Sequence, residues 1–119
     1  MSTLKETVFV GKDNEIRLLL KEDDIVLMTA YPSLVPSRWQ LTIASDPEIL
    51  IDSDTNPDAF NWISESSILE LAIGSIVTTA MGYTSATLRM YAPIFPNGVV
   101  LIHPTCTPDK LKIRICDEG

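Results

Sequence analysis

The sequence predicts an all-β fold, an antiparallel β-sandwich, and three observations carry that expectation. Short apolar runs recur with a period of two. Turn signals built from Gly, Pro, Asn and Asp separate them at short intervals. No amphipathic stretch long enough to serve as a crossover helix lies between them, which disfavours a parallel α/β sheet. At 119 residues the chain is expected to form one domain over 1–119, large enough to bury a core without crosslinks.

Residues 1–7 read as a loose start. Val8-Phe9-Val10 is a short apolar run, closed by the turn cluster Gly11-Lys12-Asp13-Asn14. Glu15–Lys21 places Ile16, Leu18 and Leu20 on one face and reads as a strand. The acidic turn Glu22-Asp23-Asp24 leads to an apolar run, Ile25–Ala30, expected as its hairpin partner. Pro32 and Pro36 bar a central strand from the segment that follows.

Arg38–Ile43 alternates most cleanly, with Trp39, Leu41 and Ile43 inward. Asp46-Pro47 signals a turn, and Glu48–Ile51 a short strand. Residues 52–66 form the longest polar connection, with Phe60 and Trp62 expected to pin it to the sheet. The next segment has two patterns. As a strand, Ser67–Ile73 turns Leu69, Leu71 and Ile73 inward, followed by a turn or one short helix near 75–81. As a helix, Ile68, Leu69, Ala72, Ile73, Ile76 and Val77 make a stripe, at a cost of about 1 kcal/mol for Gly74.

Thr84–Ala92 directs Ala86, Leu88 and Met90 inward. The turn-rich Pro93–Gly98 then leads to Val99–His103, apolar enough for a central strand covered on both faces, or for one at an interface. Lys110–Cys116 closes the set, with Leu111, Ile113 and Ile115 inward and the cations Lys110, Lys112 and Arg114 outward.

The formal net charge of −7 disfavours nucleic acid as a partner. No run approaches the roughly 20 apolar residues of a membrane span, so no membrane partner is expected. The first residues do not read as a secretory signal. With only Cys106 and Cys116, this points to synthesis in a reducing cytoplasm.

Few patterns carry chemistry. Asp52, Asp54, Asn56 and Asp58 alternate as the start of a calcium loop does. Pro57 then replaces the glycine of the sharp turn, and Ile63 stands where the bidentate Glu belongs. His103 is the one histidine, without the partners of a triad or zinc site. The cysteines lack an activating context. Trp62, Phe95 and Asn97 lie in predicted loops and are the candidates for a contact surface. No catalytic residue, cofactor or metal is therefore expected.

Three stretches together carry a resemblance: NEIRLLL at 14–20, IDSDTNPDAFNW at 51–62 ahead of LELAIG, and GYTSATLRMYAPIFPNGVV at 82–100. Their order resembles small tail and virion accessory proteins of tailed bacteriophages and prophages. The resemblance implies a compact immunoglobulin-like sandwich and a non-enzymatic structural or adaptor role in a phage-like particle. Other virion or tail subunits, or further copies in a homo-oligomer, would be its partners, and the protein would be incorporated in a virion. Gly82-Tyr83 is similar to a tyrosine corner, provided a bulge brings Tyr83 into phase with Ala86. The competing expectation is a ligand-binding sandwich, for carbohydrate or calcium, using loop 52–66. A small hydrolase relying on His103 ranks last.

Overall fold

A computed structural model describes residues 2–13, 15–45 and 47–117; the expected turns at Asn14 and Asp46 lie in part outside them. The chain is mostly β-structure in several sheets. In chain order the elements are β1 (Ser2–Phe9), β2 (Ile16–Leu19), β3 (Lys21–Glu22), β4 (Ile25–Val26), α1 (Leu27–Ala30), β5 (Arg38–Ile43) and β6 (Ile49–Asp52). There follow a 3₁₀ turn (Pro57–Ala59), β7 (Phe60–Ile63), β8 (Ile68–Leu71), β9 (Met81–Ala92), β10 (Phe95–Ile102) and β11 (Asp109–Cys116).

The large sheet runs β1-β11-β9-β5-β6, with β10 also on β9; the smaller one runs β2-β8-β7. Their inward residues meet in one apolar cluster. Leu18, Leu41, Ile43, Ile51, Leu69, Leu71, Leu88, Met90 and Ile113 are fully buried within it. The alternation in β2, β5, β8, β9 and β11 falls as expected, including Trp39, Leu41 and Ile43 inward from β5. Large apolar side chains buried this way each contribute roughly 1.5–3 kcal/mol, which makes the stripes decisive for register.

Five expectations are corrected. Residues 2–9 form a strand, β1, pairing in parallel with β11, Val8 beside Ile115. Glu6 occupies an inward-phase position and breaks the apolar stripe that would have announced it.

The run Ile25–Ala30 is only half a strand. Leu27 accepts a bond from the Tyr31 N–H and closes one helical turn, α1, before Pro32. Ser67 braces this corner. It is fully buried with a left-handed φ of 56°, and it accepts bonds from the Leu20 N–H (carbonyl, 2.9 Å) and the Met28 N–H (Oγ, 2.9 Å).

Of the two expectations near 75–81, the turn forms, at 74–76, and the short helix does not. The Ile76 and Val77 N–H groups both return to the Ile73 carbonyl, and β-branched Val77, Thr78 and Thr79 do not extend the turn. Phe60 and Trp62 do not merely anchor a loop, because Phe60–Ile63 is strand β7, paired to β8.

Finally, β10 is no central strand. Ile102 pairs with Leu88, whereas Lys112 of β11 pairs with Ser85, so β10 and β11 share successive stretches of one β9 edge. β1 begins level with Asp109 and flanks β11 alone. Val100 is consequently 40% exposed. The hairpin turn itself is Pro93-Ile94. Residues 96–98 form a bulge, where Gly98 has φ 82° and a Cβ would come within 2.7 Å of the Tyr91 ring.

Candidate contact surfaces

The outward face of the large sheet has two halves. In the first, β5 sets Arg38 and Gln40 opposite Tyr91 and Arg89 of β9, and β6 sets Asp52 opposite Gln40. Arg38 grips Asp52 through Nε (3.1 and 3.2 Å) and Nη2 (2.5 Å). The carboxylate also accepts from Gln40 Nε2 (2.9 Å) and the Asp54 N–H (2.9 Å). Asp54 meets the same guanidinium at 3.2 Å, which lies 5.3 Å from the Tyr91 ring centre.

The hydrogen bonds from Arg38 hold the Asp52 carboxyl well below the usual carboxylate range. Partial burial opposes them, and the bonds from Gln40 and the Asp54 N–H add to them.

In the second half, β1 and β11 lie in parallel register and bring Lys5 beside Lys112 and Thr7 beside Arg114. Tyr83 of β9, 44% exposed, carries the Lys5 ammonium at 5.6 Å and the Arg114 guanidinium at 5.0 Å from its ring centre. Arg114 also donates to Thr7 Oγ1 at 3.2 Å. The β9–β11 register is irregular between Met81 and Thr84, but Tyr83 faces outward there and forms no buried corner. Among the described residues, no ion pair joins Lys5, Arg89, Lys112 or Arg114 to a carboxylate; those seen belong to Arg17 with Glu70 and Arg38 with Asp52 and Asp54.

A third feature is a groove of about 260 Å³ between the sheets. Its sides are Leu18–Lys21 of the β2–β3 run and Leu101-Ile102 of β10, with Leu4 of β1 at one end. Beside it, Glu22, Asp23 and Asp24 face Val99–Leu101 across a second hollow. Asp23 and Asp24 have φ 52° and 65°, the pair of left-handed residues of a type I′ hairpin turn between β3 and β4.

The residues singled out in the sequence scatter. Asp52 and Asp54 converge on Arg38, while Asn56 and Asp58 line a separate depression with Asp13, Ala72 and Ser75. Among the described residues, no three His, Cys, Asp or Glu side chains gather to hold a metal. Trp62 is half-buried and packs on Trp39 at 5.5 Å, its indole Nε1–H buried without a partner. Phe95 stands edge-on to Tyr31 at 5.0 Å; Asn97 is exposed on the bulge.

His103 Nδ1 accepts the N–H groups of Thr105 and Cys106, each at 3.1 Å, and so shapes its own loop. Both cysteines are free thiols. Sequence reading found the β11 cations and singled out Tyr83 only as a possible corner, but missed Lys5 beside them. The signal was the polar/apolar alternation Thr3-Leu4-Lys5 within an apparently loose start.

Comparison with protein-family models, with curated proteins and with solved structures gives no match. Among the described residues, no helix is long and apolar enough to cross a membrane.

Proposed function

We propose that the chain is a non-enzymatic structural or adaptor subunit that acts through protein–protein contact, as tail and virion accessory proteins of phage-like particles do, on an immunoglobulin-like sandwich. The strand order supports the second half of that reading. In such domains one sheet runs G-F-C-C′ and the other contains B, E and D. Here β11-β9-β5-β6 and β2-β8-β7 follow the same succession, and Trp39 is buried on the strand that corresponds to C. The inter-sheet disulfide of antibody domains has no counterpart, since Cys106 and Cys116 are free.

The observation that carries the contact role is β10. Its sequence, FPNGVVLI, has no charged residue; it pairs on one side only, and Val100 stands exposed beside the second hollow. Natural edge strands are normally guarded by charge, by proline within the pairing region or by cover. In β10, Pro96 and the 96–98 bulge guard the first half, but residues 99–102 carry neither charge nor proline; such an edge can add a strand from a neighbour, with main-chain bonds for affinity and alternate side chains for register.

Light scattering at micromolar concentration, alone and with purified structural subunits of the same particle, tests the reading. Mixed with those subunits, the wild type is expected to gain mass beyond what it shows alone, and Val100→Lys to lose that gain while melting at an unchanged temperature. A wild type that stays monomeric in every mixture would refute the role.

A further inference from the structure

We propose that the Lys5–Lys112–Arg114–Tyr83 face is a docking site for the acidic β3–β4 turn of a second copy of this chain, giving head-to-tail association. This inference uses a different surface from β10 and stands or falls separately.

The argument begins with where charge sits. The chain carries nine basic and 16 acidic residues. Six of the nine, Lys5, Arg38, Arg89, Lys110, Lys112 and Arg114, belong to outward positions of one sheet. Arg38 is matched by Asp52 and Asp54, and Lys110 turns back to donate to the Thr107 carbonyl. Lys5, Lys112 and Arg114 are exposed and meet no carboxylate among the described residues; two of them stand side by side in register. Like charges so placed oppose folding, and Tyr83 only partly offsets them through its ring face.

The rest of the molecule supplies the complement. Asp23 and Asp24 are exposed at the tip of a tight hairpin, both with left-handed backbone, and among the described residues no ion pair engages either. A second copy therefore presents to the cationic face a narrow, doubly charged projection of opposite sign. The face cannot dock on itself, because that would oppose cation to cation. Each copy keeps one free face and one free turn, so the contact propagates as a ring or a filament unless the rotation closes on two. At net charge −7 the copies repel at long range. Physiological salt limits that repulsion to about 8 Å and leaves the local contact to decide.

Sedimentation velocity at about 0.1 M and about 1 M salt, where screening lengths are about 10 and 3 Å, provides the test. The wild type is expected to associate at the lower salt and to dissociate at the higher, the dissociation constant rising on the order of tenfold or more. Two variants isolate the surfaces. Lys112→Glu with Arg114→Glu removes the face. Asp23→Asn with Asp24→Gly removes the turn's charge while providing the residues a type I′ turn favours, so lost folding cannot explain lost association.

Each variant alone should be monomeric. Mixed, they should form a one-to-one complex, because one retains the turn and the other the face. A wild type that is monomeric at both salts, variants that associate like the wild type, or a mixture that stays monomeric would each overturn the proposal. So would a monomeric wild type that a sulfated polysaccharide column retains through Lys112 and Arg114, which would make the face a polyanion site.

Discussion

On one sheet face are two pairs close in kind, their arginines 76 residues apart in sequence: Arg38 lies over Tyr91 and Arg114 over Tyr83. Their surroundings differ. Around Arg38 the hairpin of β5 and β6 delivers a carboxylate, an amide and a main-chain N–H to one point, and Asp52 keeps only 13% of its side chain exposed. Around Arg114 the neighbouring strand delivers Thr7, which accepts one bond, and a second cation, Lys5, over the same Tyr83 ring. The same arginine–tyrosine pairing is thus a closed structural network in one half and an open electrostatic surface in the other. A closed network contributes to folding; an open one contributes only when something else arrives.

The largest effect that would break this contrast is on stability. Asp52→Ala removes an acceptor used by Arg38, Gln40 and the Asp54 N–H and should lower unfolding free energy by about 2 kcal/mol. Arg114→Ala should stay within about 0.5 kcal/mol of the wild type. Urea unfolding of both measures the difference, and equal losses would mean that the two halves are not distinct.

Acid sharpens the same point. The Asp52 carboxyl titrates below its ordinary 3.8 in the folded chain, so the unfolded chain binds the proton first as pH falls. The contribution is whole above that ordinary value and is lost as pH falls through the depressed folded one. Stability of the wild type should therefore exceed that of Asp52→Asn near neutrality, and the gap should close below about pH 4. A gap that stays constant down to about pH 2 would show that the carboxylate charge contributes nothing.

How far this was legible beforehand follows from the same chemistry. The inward stripes of β2, β5, β8, β9 and β11 were readable because burial on one face forces period two on the sequence. β1 was hidden by Glu6 in an inward-phase position and by a partner, β11, more than a hundred residues away. β7 was hidden among Asn, Pro and Ser that signal turns on either side. The cations of β11 were visible as a row, but a row on one strand reads as a solvated edge. Only the β1–β11 register turns β11 into an interior strand and places Lys5 beside Lys112. Likewise Asp52 and Asp54 resemble the start of an ion-binding loop until the β5–β6 pairing brings Arg38 across from them.

The smallest expected effect bears on why the open half stays open. Lys112 faces Lys5 in register and lies next to Ser85 on the other side. Threonine suits a pleated, exposed position better than lysine and ends the repulsion. Lys112→Thr should therefore raise stability, by about 0.5 kcal/mol, and most of the gain should vanish in about 1 M salt, where the ions already screen the two lysines from one another. A gain that persists in salt would assign the effect to strand preference. A loss would mean that Lys112 is satisfied within the fold, and the two halves of the sheet would then be alike. A salt-sensitive gain would mean that the sequence keeps a destabilising cation on a flat exposed face. That is the pattern expected where stability is given up for a contact made with another molecule.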